Sequence, residues 1–238
     1  MIDSKDIKLV NAPTRYSGHK NGADMPRGNL SCKIQQYNDM KDKTEWDKCY
    51  DDNELPWDTG MPEISLINLI SLWPKGISRV LEVGCGTGTN AVWLAEQGLE
   101  VTAMDISEKA IAVAEKRCAQ HEVQCRLLTD NFLTCAPVGQ YDLLFDRGCF
   151  HCTDGEEARQ SFVRQAALNL KPEGYWLSLI GNKDQVATDK KGPPRLSAAE
   201  VCSAVEPAFE ILTLESVLKP LSKLPKPLRF WHCLMRMR

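Results

Sequence analysis

The segment Glu82-Val-Gly84-Cys-Gly86-Thr-Gly88 constrains this chain more than any other. It follows a short β-branched run, Arg79-Val-Leu-Glu-Val83, and precedes a short helix, Ala91 to Gln97, that Gly98 closes. A plain strand-to-helix turn does not need three glycines in five residues. Glycine accepts left-handed backbone and lets a ligand approach the main chain with no Cβ in the way. In an open α/β sheet such a turn lies at the carboxyl edge of the strands, where ligands bind. The spacing is G-x-G-x-G, and Thr89 stands where a dinucleotide fingerprint would put its third glycine. Asp105 ends the following strand, 17 positions after Gly88. A carboxylate there can accept from both hydroxyls of a ribose. The pattern points to an adenosine-type ligand rather than a pyrophosphate.

The rest of the chain supplies the sheet. Pro62 to Trp73 has a helical apolar period. Strands are predicted at Arg79–Val83, Glu100–Asp105, Val123–Leu128, Tyr141–Phe145 and Tyr175–Ile180. A helix from Ser107 to Ala119 shows Ala110, Ile111, Ala114 and Cys118 on one face. Thr153-x-x-Glu156 and Ser197-x-x-Glu200 read as capping boxes that open two further helices. The helix after the first box turns Phe162, Val163, Ala166, Ala167 and Leu170 inward. Phe209–Val217 and Arg229–Met237 follow as two strands joined without a helix, which implies a hairpin at one edge. The fold class is therefore α/β: a Rossmann-like, seven-stranded, mostly parallel sheet with one antiparallel edge strand and helices on both faces. Residues 1–40 read as a polar arm without apolar period, and 41–238 as one domain.

Composition narrows the class. The chain has 238 residues, 43% hydrophobic, with 29 basic against 32 acidic side chains and a net charge of −3. That length buries a full core, and the charge balance argues against a dedicated nucleic-acid binder. No run of about 18 apolar residues marks a membrane span, and the N-terminus lacks the apolar core of a secretory signal. The ten cysteines then fit a reduced cytoplasmic setting better than a disulfide scaffold. Cys149-x-x-Cys152 has no second pair at metal-site spacing, so the cysteines read as small core hydrophobes and no metal is expected. The partner expected is a small-molecule substrate, with no nucleic acid and no membrane. The oligomeric state stays open, a monomer being the simpler expectation.

Glu82-x-Gly-x-Gly-x-Gly followed by Asp105 resembles the class I S-adenosylmethionine-dependent methyltransferases, whose sheet also has seven strands with a reversed last strand. The resemblance implies S-adenosyl-L-methionine as cofactor. Gly84, Cys85, Gly86 and Gly88 would back its methionine part, with Glu82 beside them, and Asp105 and Ile106 would meet the ribose. Asp130-Asn131-Phe132 stands where that family keeps residues beside the adenine. Phe132 would cover a ring face, and Asp130 would accept from the exocyclic amine.

Three further segments resemble the thiopurine S-methyltransferase group and the related thiol and halide methyltransferases. They are Glu45-Trp46-x-x-x-Tyr50 with Pro56-Trp57-Asp58, then Phe145-Asp146-Arg147-Gly148, then Gly192-Pro193-Pro194-x-x-Ser197. In that group the aromatic segment ahead of the core folds over the cofactor. An aromatic face stabilises a nearby cation such as a sulfonium by about 0.5–2 kcal/mol. Trp46, Tyr50 and Trp57 are the candidates here. Asp146, Arg147 and His151 stand just past a strand's carboxyl end and are the candidate catalytic residues, Asp146 doubling as a cofactor contact. Arg147 would hold an anionic substrate or favour a thiolate, and His151 would take a proton near neutral pH. The expected reaction is in-line methyl transfer to a small soft nucleophile: a thiol, a thiopurine-like heterocycle, a halide or a metalloid anion. The alternatives are an O- or N-methyltransferase of the same fold acting on a protein or natural product, and a non-catalytic nucleoside-binding module.

Overall fold

The computed structural model describes residues 43–72, 76–137, 139–185, 194–220 and 226–238. The predicted arm, 1–40, and Gly192 and Pro193 lie outside them.

Two helices, α1 (Lys43–Asp51) and α2 (Ile64–Leu72), precede β1 (Arg79–Val83). Then follow α3 (Thr89–Glu96), β2 (Glu100–Asp105), α4 (Glu108–Gln120), β3 (Arg126–Thr129) and β4 (Tyr141–Arg147). A 3₁₀ turn (Phe150–Cys152) leads into α5 (Gly155–Asn169), β5 (Leu170–Gly181), α6 (Ala198–Val205), β6 (Phe209–Lys219) and β7 (Leu228–Met237).

The seven strands form one sheet in the order β3-β2-β1-β4-β5-β7-β6. Neighbours are parallel except at β7, which runs against both β5 and β6. The single reversed strand thus sits one place in from the edge, and β6 is outermost. Central strands are apolar on both faces, as a parallel sheet covered on both sides requires; Tyr141 through Asp146 of β4 are all buried. On one face α2, α3 and α4 pack Leu66, Leu69, Ala91, Leu94 and Ile111 against Val80, Leu143, Leu177 and Leu179. On the other face α5 and α6 bury Phe162, Val163, Val201 and Val205 with Trp176 and Phe209. Phe162 is the hub of that second core. Its ring stacks on Trp176 at 5.5 Å and meets Phe132 and Phe150 edge-on at 4.7 and 5.4 Å.

Local chemistry explains where the elements depart from expectation. The Ser197 box forms in both directions with Glu200. The Thr153 box does not: Asp154 is the N-cap, and the Thr153 hydroxyl instead donates to the Phe150 carbonyl at 2.7 Å, closing the 3₁₀ turn. β3 starts at Arg126 rather than Val123, because the Val123 N–H bonds back to the Cys118 carbonyl and is spent ending α4. β5 begins at Leu170, five residues early, and runs past Pro172 with a register irregularity between Tyr141 and Leu143 of its partner strand.

Because Phe162 joins three other rings inside a closed core, Phe162→Ala should cost about 3–5 kcal/mol of unfolding free energy in urea titration.

Candidate active site

The glycine turn is fastened from below. The N–H groups of Gly84 and Cys85 both donate to the Met104 carbonyl, at 2.8 and 3.0 Å. Gly84, Gly86 and Gly88 have φ of +70°, +56° and +77°, so each occupies backbone that a side chain would strain. Gly88 also faces close approach: a Cβ there would stand 2.8 Å from that of Ala114 on α4. The start of α3 is therefore seated directly on α4.

Asp105 ends β2 beneath this turn. Its Oδ2 accepts from the Gly86 N–H at 2.9 Å and its Oδ1 from the Ser107 N–H at 3.0 Å. Burial raises its pKa against the pull of these bonds. Each oxygen keeps a lone pair for a hydroxyl donor. Ile106 lies half-buried beside it. Ser107 caps α4 by accepting from the Ala110 N–H.

The segment from α1 to Met61 lies across the turn. One face of α1 meets the head of α4 through three pairs. Lys43 pairs with Glu108, Asp47 accepts from the Ser107 hydroxyl at 2.5 Å, and Asp51 pairs with Lys109 at 2.8 Å. At the far end, the Asp58 carboxylate accepts from the Thr87 hydroxyl at 2.9 Å, and Arg117 of α4 lies 3.8 Å away. Between these fastenings Trp57 packs edge-on against Trp46 at 5.4 Å and Tyr50 at 6.4 Å. The Tyr50 oxygen stands over Gly86, 3.3 Å from where a Cβ would be. Burial first, then the Asp105 charge, suppresses ionisation of Tyr50. The three expected aromatics thus come together above the glycine turn.

Glu82 is buried on the α2 face of β1. Its Oε1 accepts from Asn90 at 3.0 Å, while Oε2 has no hydrogen-bond partner among the described residues. Burial pushes its pKa up to about 8.

Several expectations need correction. Asp146 is wholly buried on the opposite face of β4, where its carboxylate accepts from Trp176 at 2.9 Å and from the Phe150 and Cys149 N–H groups at 2.9 and 3.2 Å. It shapes the turn after β4 and is sealed from any substrate; burial raises its pKa to about 6. His151 is 2% exposed and wedged between Gly148 and Gly181. Burial lowers its pKa to about 4, so it is a poor proton acceptor at neutral pH. Phe132 is buried against Phe162 in the core and does not present a ring face. Asp130 is exposed, and Asn131 uses its side chain to turn the loop by accepting from the Leu133 N–H at 2.9 Å. The Cys85 thiol points into the α2-side core, leaving only its backbone on the turn. Among the described residues no group of three or more His, Cys, Asp or Glu side chains is placed to hold a metal.

Arg147, alternate to Asp146 on β4, emerges on the α2 face and meets a carboxylate that the motifs did not reveal, Glu63, at 3.5 Å. Lys219 from β6 pairs with the same carboxylate. The Glu63 N–H donates to Asn90 Oδ1 at 2.8 Å, which links this group to Glu82. No spacing pattern joins positions 63, 90, 147 and 219. The one local signal is an acid immediately ahead of an apolar helix.

A family model described as thiopurine S-methyltransferase matches residues 41–227. The chain belongs to the thiopurine S-methyltransferase family. Its relatives include thiocyanate methyltransferase 1 of Brassica oleracea, 27% identical over 206 residues, covering 86% of this chain and 83% of that one. Thiopurine S-methyltransferase of Vibrio cholerae is 31% identical over 144 residues, covering 53% and 64%. Among solved structures, Burkholderia thailandensis 1,6-didemethyltoxoflavin-N1-methyltransferase has the same fold, with TM-score 0.66, 18% identity and coverage of 90% and 93%.

This family member is an S-adenosylmethionine-dependent methyltransferase, and its turn fits that cofactor. The glycines leave a cradle that side chains would fill, Asp105 keeps lone pairs for ribose hydroxyls, and the buried Glu82 Oε2 has no hydrogen-bond partner among the described residues.

Glu82 gives the free methyltransferase a pH signature. Its folded pKa of about 8 lies above the ordinary glutamate value of 4.5, so the folded state holds a proton that the unfolded state has lost. Stability from this group is therefore complete at low pH and falls as pH rises toward 8. Above pH 6.5 the opposing effect of His151 has ended. The melting temperature should fall between pH 6.5 and 8, and Glu82→Gln should flatten that slope in differential scanning fluorimetry.

Proposed function

We propose that this methyltransferase acts on a small soft nucleophile, a thiol, a thiopurine-like heterocycle, a halide or a metalloid anion. The observation that carries the reading is that, among the described residues, neither candidate base at the carboxyl end of β4 is competent: Asp146 is sealed on the far face and His151 is buried with its pKa lowered to about 4. An amine or alcohol acceptor has to shed a proton, which calls for a base near neutral pH. A thiolate or halide does not. The thiocyanate and thiopurine acceptors in the names of its relatives support the same class.

The cofactor, when bound, supplies a methyl carbon on a sulfonium; the acceptor's electron pair forms the new bond, and the old bond's pair returns to sulfur. The chain's part is alignment and exclusion of water. Gly84, Gly86 and Gly88 would back the methionine portion, with the unpartnered Oε2 of the Glu82 carboxyl beside it. Asp105 and Ile106 hold the ribose. Trp46, Tyr50 and Trp57 would shut out water over the sulfonium, with the Tyr50 hydroxyl and the Trp57 ring nitrogen closest to the turn. Arg147 is the residue of the β4 turn left to meet an acceptor.

A labelled-donor assay against thiols, thiocyanate, iodide and amines tests this. Transfer to the soft nucleophiles should dominate, and His151→Gln should keep kcat for them within about threefold, because no proton is routed through the ring. Transfer to amines or alcohols alone, lost in His151→Gln, would refute the reading. Asp105→Ala should weaken S-adenosylhomocysteine binding at least about tenfold in calorimetry, since hydrogen bonds to a charged group contribute about 1.5–3 kcal/mol each.

A further inference from the structure

The Cys149-x-x-Cys152 pair stands between the glycine turn and the aromatic core, and no step of methyl transfer uses it. The backbone brings the two side chains to one side. Cys149 has φ −80° and ψ −49° at the head of the 3₁₀ turn Phe150–Cys152, and the Cys152 N–H donates to the Cys149 carbonyl at 3.1 Å. A turn closed in this way keeps its end Cα atoms within about 7 Å. Side chains three apart on a 3₁₀ turn eclipse one another. A disulfide needs Cα atoms roughly 4.4–6.8 Å apart. Both thiols are free and half-buried.

The turn that carries them is fixed. Asp146 accepts from the Cys149 and Phe150 N–H groups, and the Thr153 hydroxyl closes onto the Phe150 carbonyl. Phe150 is locked edge-on against Trp176 and Phe162, and His151 fills the space between Gly148 and Gly181. Joining the two sulfurs therefore asks for side-chain rotation and little backbone movement. Cys149 also faces the cofactor turn. A Cβ on Gly84 would stand 3.0 Å from the Cys149 Cβ and 3.1 Å from its Sγ, and Cys149 is the one described side chain it would meet. The first glycine of the cradle is walled by this cysteine.

We propose that Cys149 and Cys152 form a reversible dithiol–disulfide site, oxidised by small organic disulfides, whose closure weakens cofactor binding at Gly84. The site acts on the cofactor cradle and is independent of which acceptor is methylated. One cysteine attacks the organic disulfide as its thiolate. The S–S bond breaks, and the departing sulfur takes up the proton that the cysteine gave. The second cysteine then attacks the mixed disulfide and expels the other sulfur in the same way. The cysteine pair has lost two electrons and two protons, and the organic disulfide has become two thiols. The new bond draws Cys149 Sγ toward Cys152 and away from the wall of Gly84. Burial first, then the Asp146 charge, raises the pKa of both thiols, Cys152 to about 12. Thiolate is therefore scarce at pH 7 and exchange is slow, so the two states are compared at equilibrium.

The test equilibrates the full chain in buffers of glutathione and glutathione disulfide. Trypsin releases Gly148–Arg159, a peptide whose cysteines are Cys149 and Cys152 alone. In the oxidising buffer its mass should fall by that of two hydrogen atoms, with no glutathione attached. Calorimetry should then show S-adenosylhomocysteine binding weakened about tenfold, within the range usual for coupled sites, and dithiothreitol should restore it. Linkage requires the reverse effect: saturating S-adenosylhomocysteine should shift the wild-type pair about tenfold toward the dithiol in the same buffer. Cys152→Ser and Cys152→Ala should keep the affinity of the reduced wild type within about twofold in either buffer. A peptide that stays dithiol in the oxidising buffer overturns the proposal. So does a disulfide that leaves S-adenosylhomocysteine affinity unchanged, a dithiol ratio that the ligand does not shift, or an equal loss of affinity in the Cys152 variants.

Discussion

The Asp105 carboxylate holds the site together. One oxygen takes the Gly86 N–H and the other the Ser107 N–H, so a single side chain fastens the turn after β1 to the turn after β2. Ser107 in turn caps α4 and donates to Asp47 of α1. A continuous run of hydrogen bonds thus passes from the sheet, through the glycine turn, to the segment above it. Burying that carboxylate is costly, as its raised pKa records, and backbone donors offset the cost. This is preorganisation of a polar site with fixed dipoles, set before any ligand arrives.

Much of the architecture was legible in sequence because the signals are local. The three glycines, Asp105 and the alternation of apolar runs each act within one strand–turn–helix unit, and the sheet follows from repeating that unit. The Ser197 box is equally local and forms as read. The site was less legible wherever partners come from distant elements. Asp146 and Arg147 are neighbours in sequence, yet strand alternation sends them to opposite faces, one to Trp176 and the other to Glu63. Phe132 carries the same apolar character whether it covers a ligand or fills a core, and only the position of Phe162 decides. Thr153 lost its capping role to the Phe150 carbonyl, a partner three residues back.

His151 shows how burial alone reverses a functional reading. A histidine just past the carboxyl end of a strand has the right chemistry for proton transfer. Gly148 and Gly181, without side chains, let the ring sink between them to 2% exposure. Desolvation then disfavours its charged form, and the ring becomes a neutral spacer between β4 and β5 at physiological pH. The glycines that admit it are as much a part of that outcome as the histidine.

The segment over the glycine turn differs from the rest of the molecule in what holds it. No residue of α1 is fully buried, and its contacts with α4 are charged or polar pairs, Lys43–Glu108 and Lys109–Asp51 among them with both partners largely exposed. Such contacts are individually weak and screened by salt. Lifting α1 exposes little apolar core, so its opening belongs to a cheaper tier of fluctuation than global unfolding. The molecule therefore has two separate stabilities: a sheet that behaves as permanent scaffold, and a cover held by aromatic packing together with ion pairs that salt weakens.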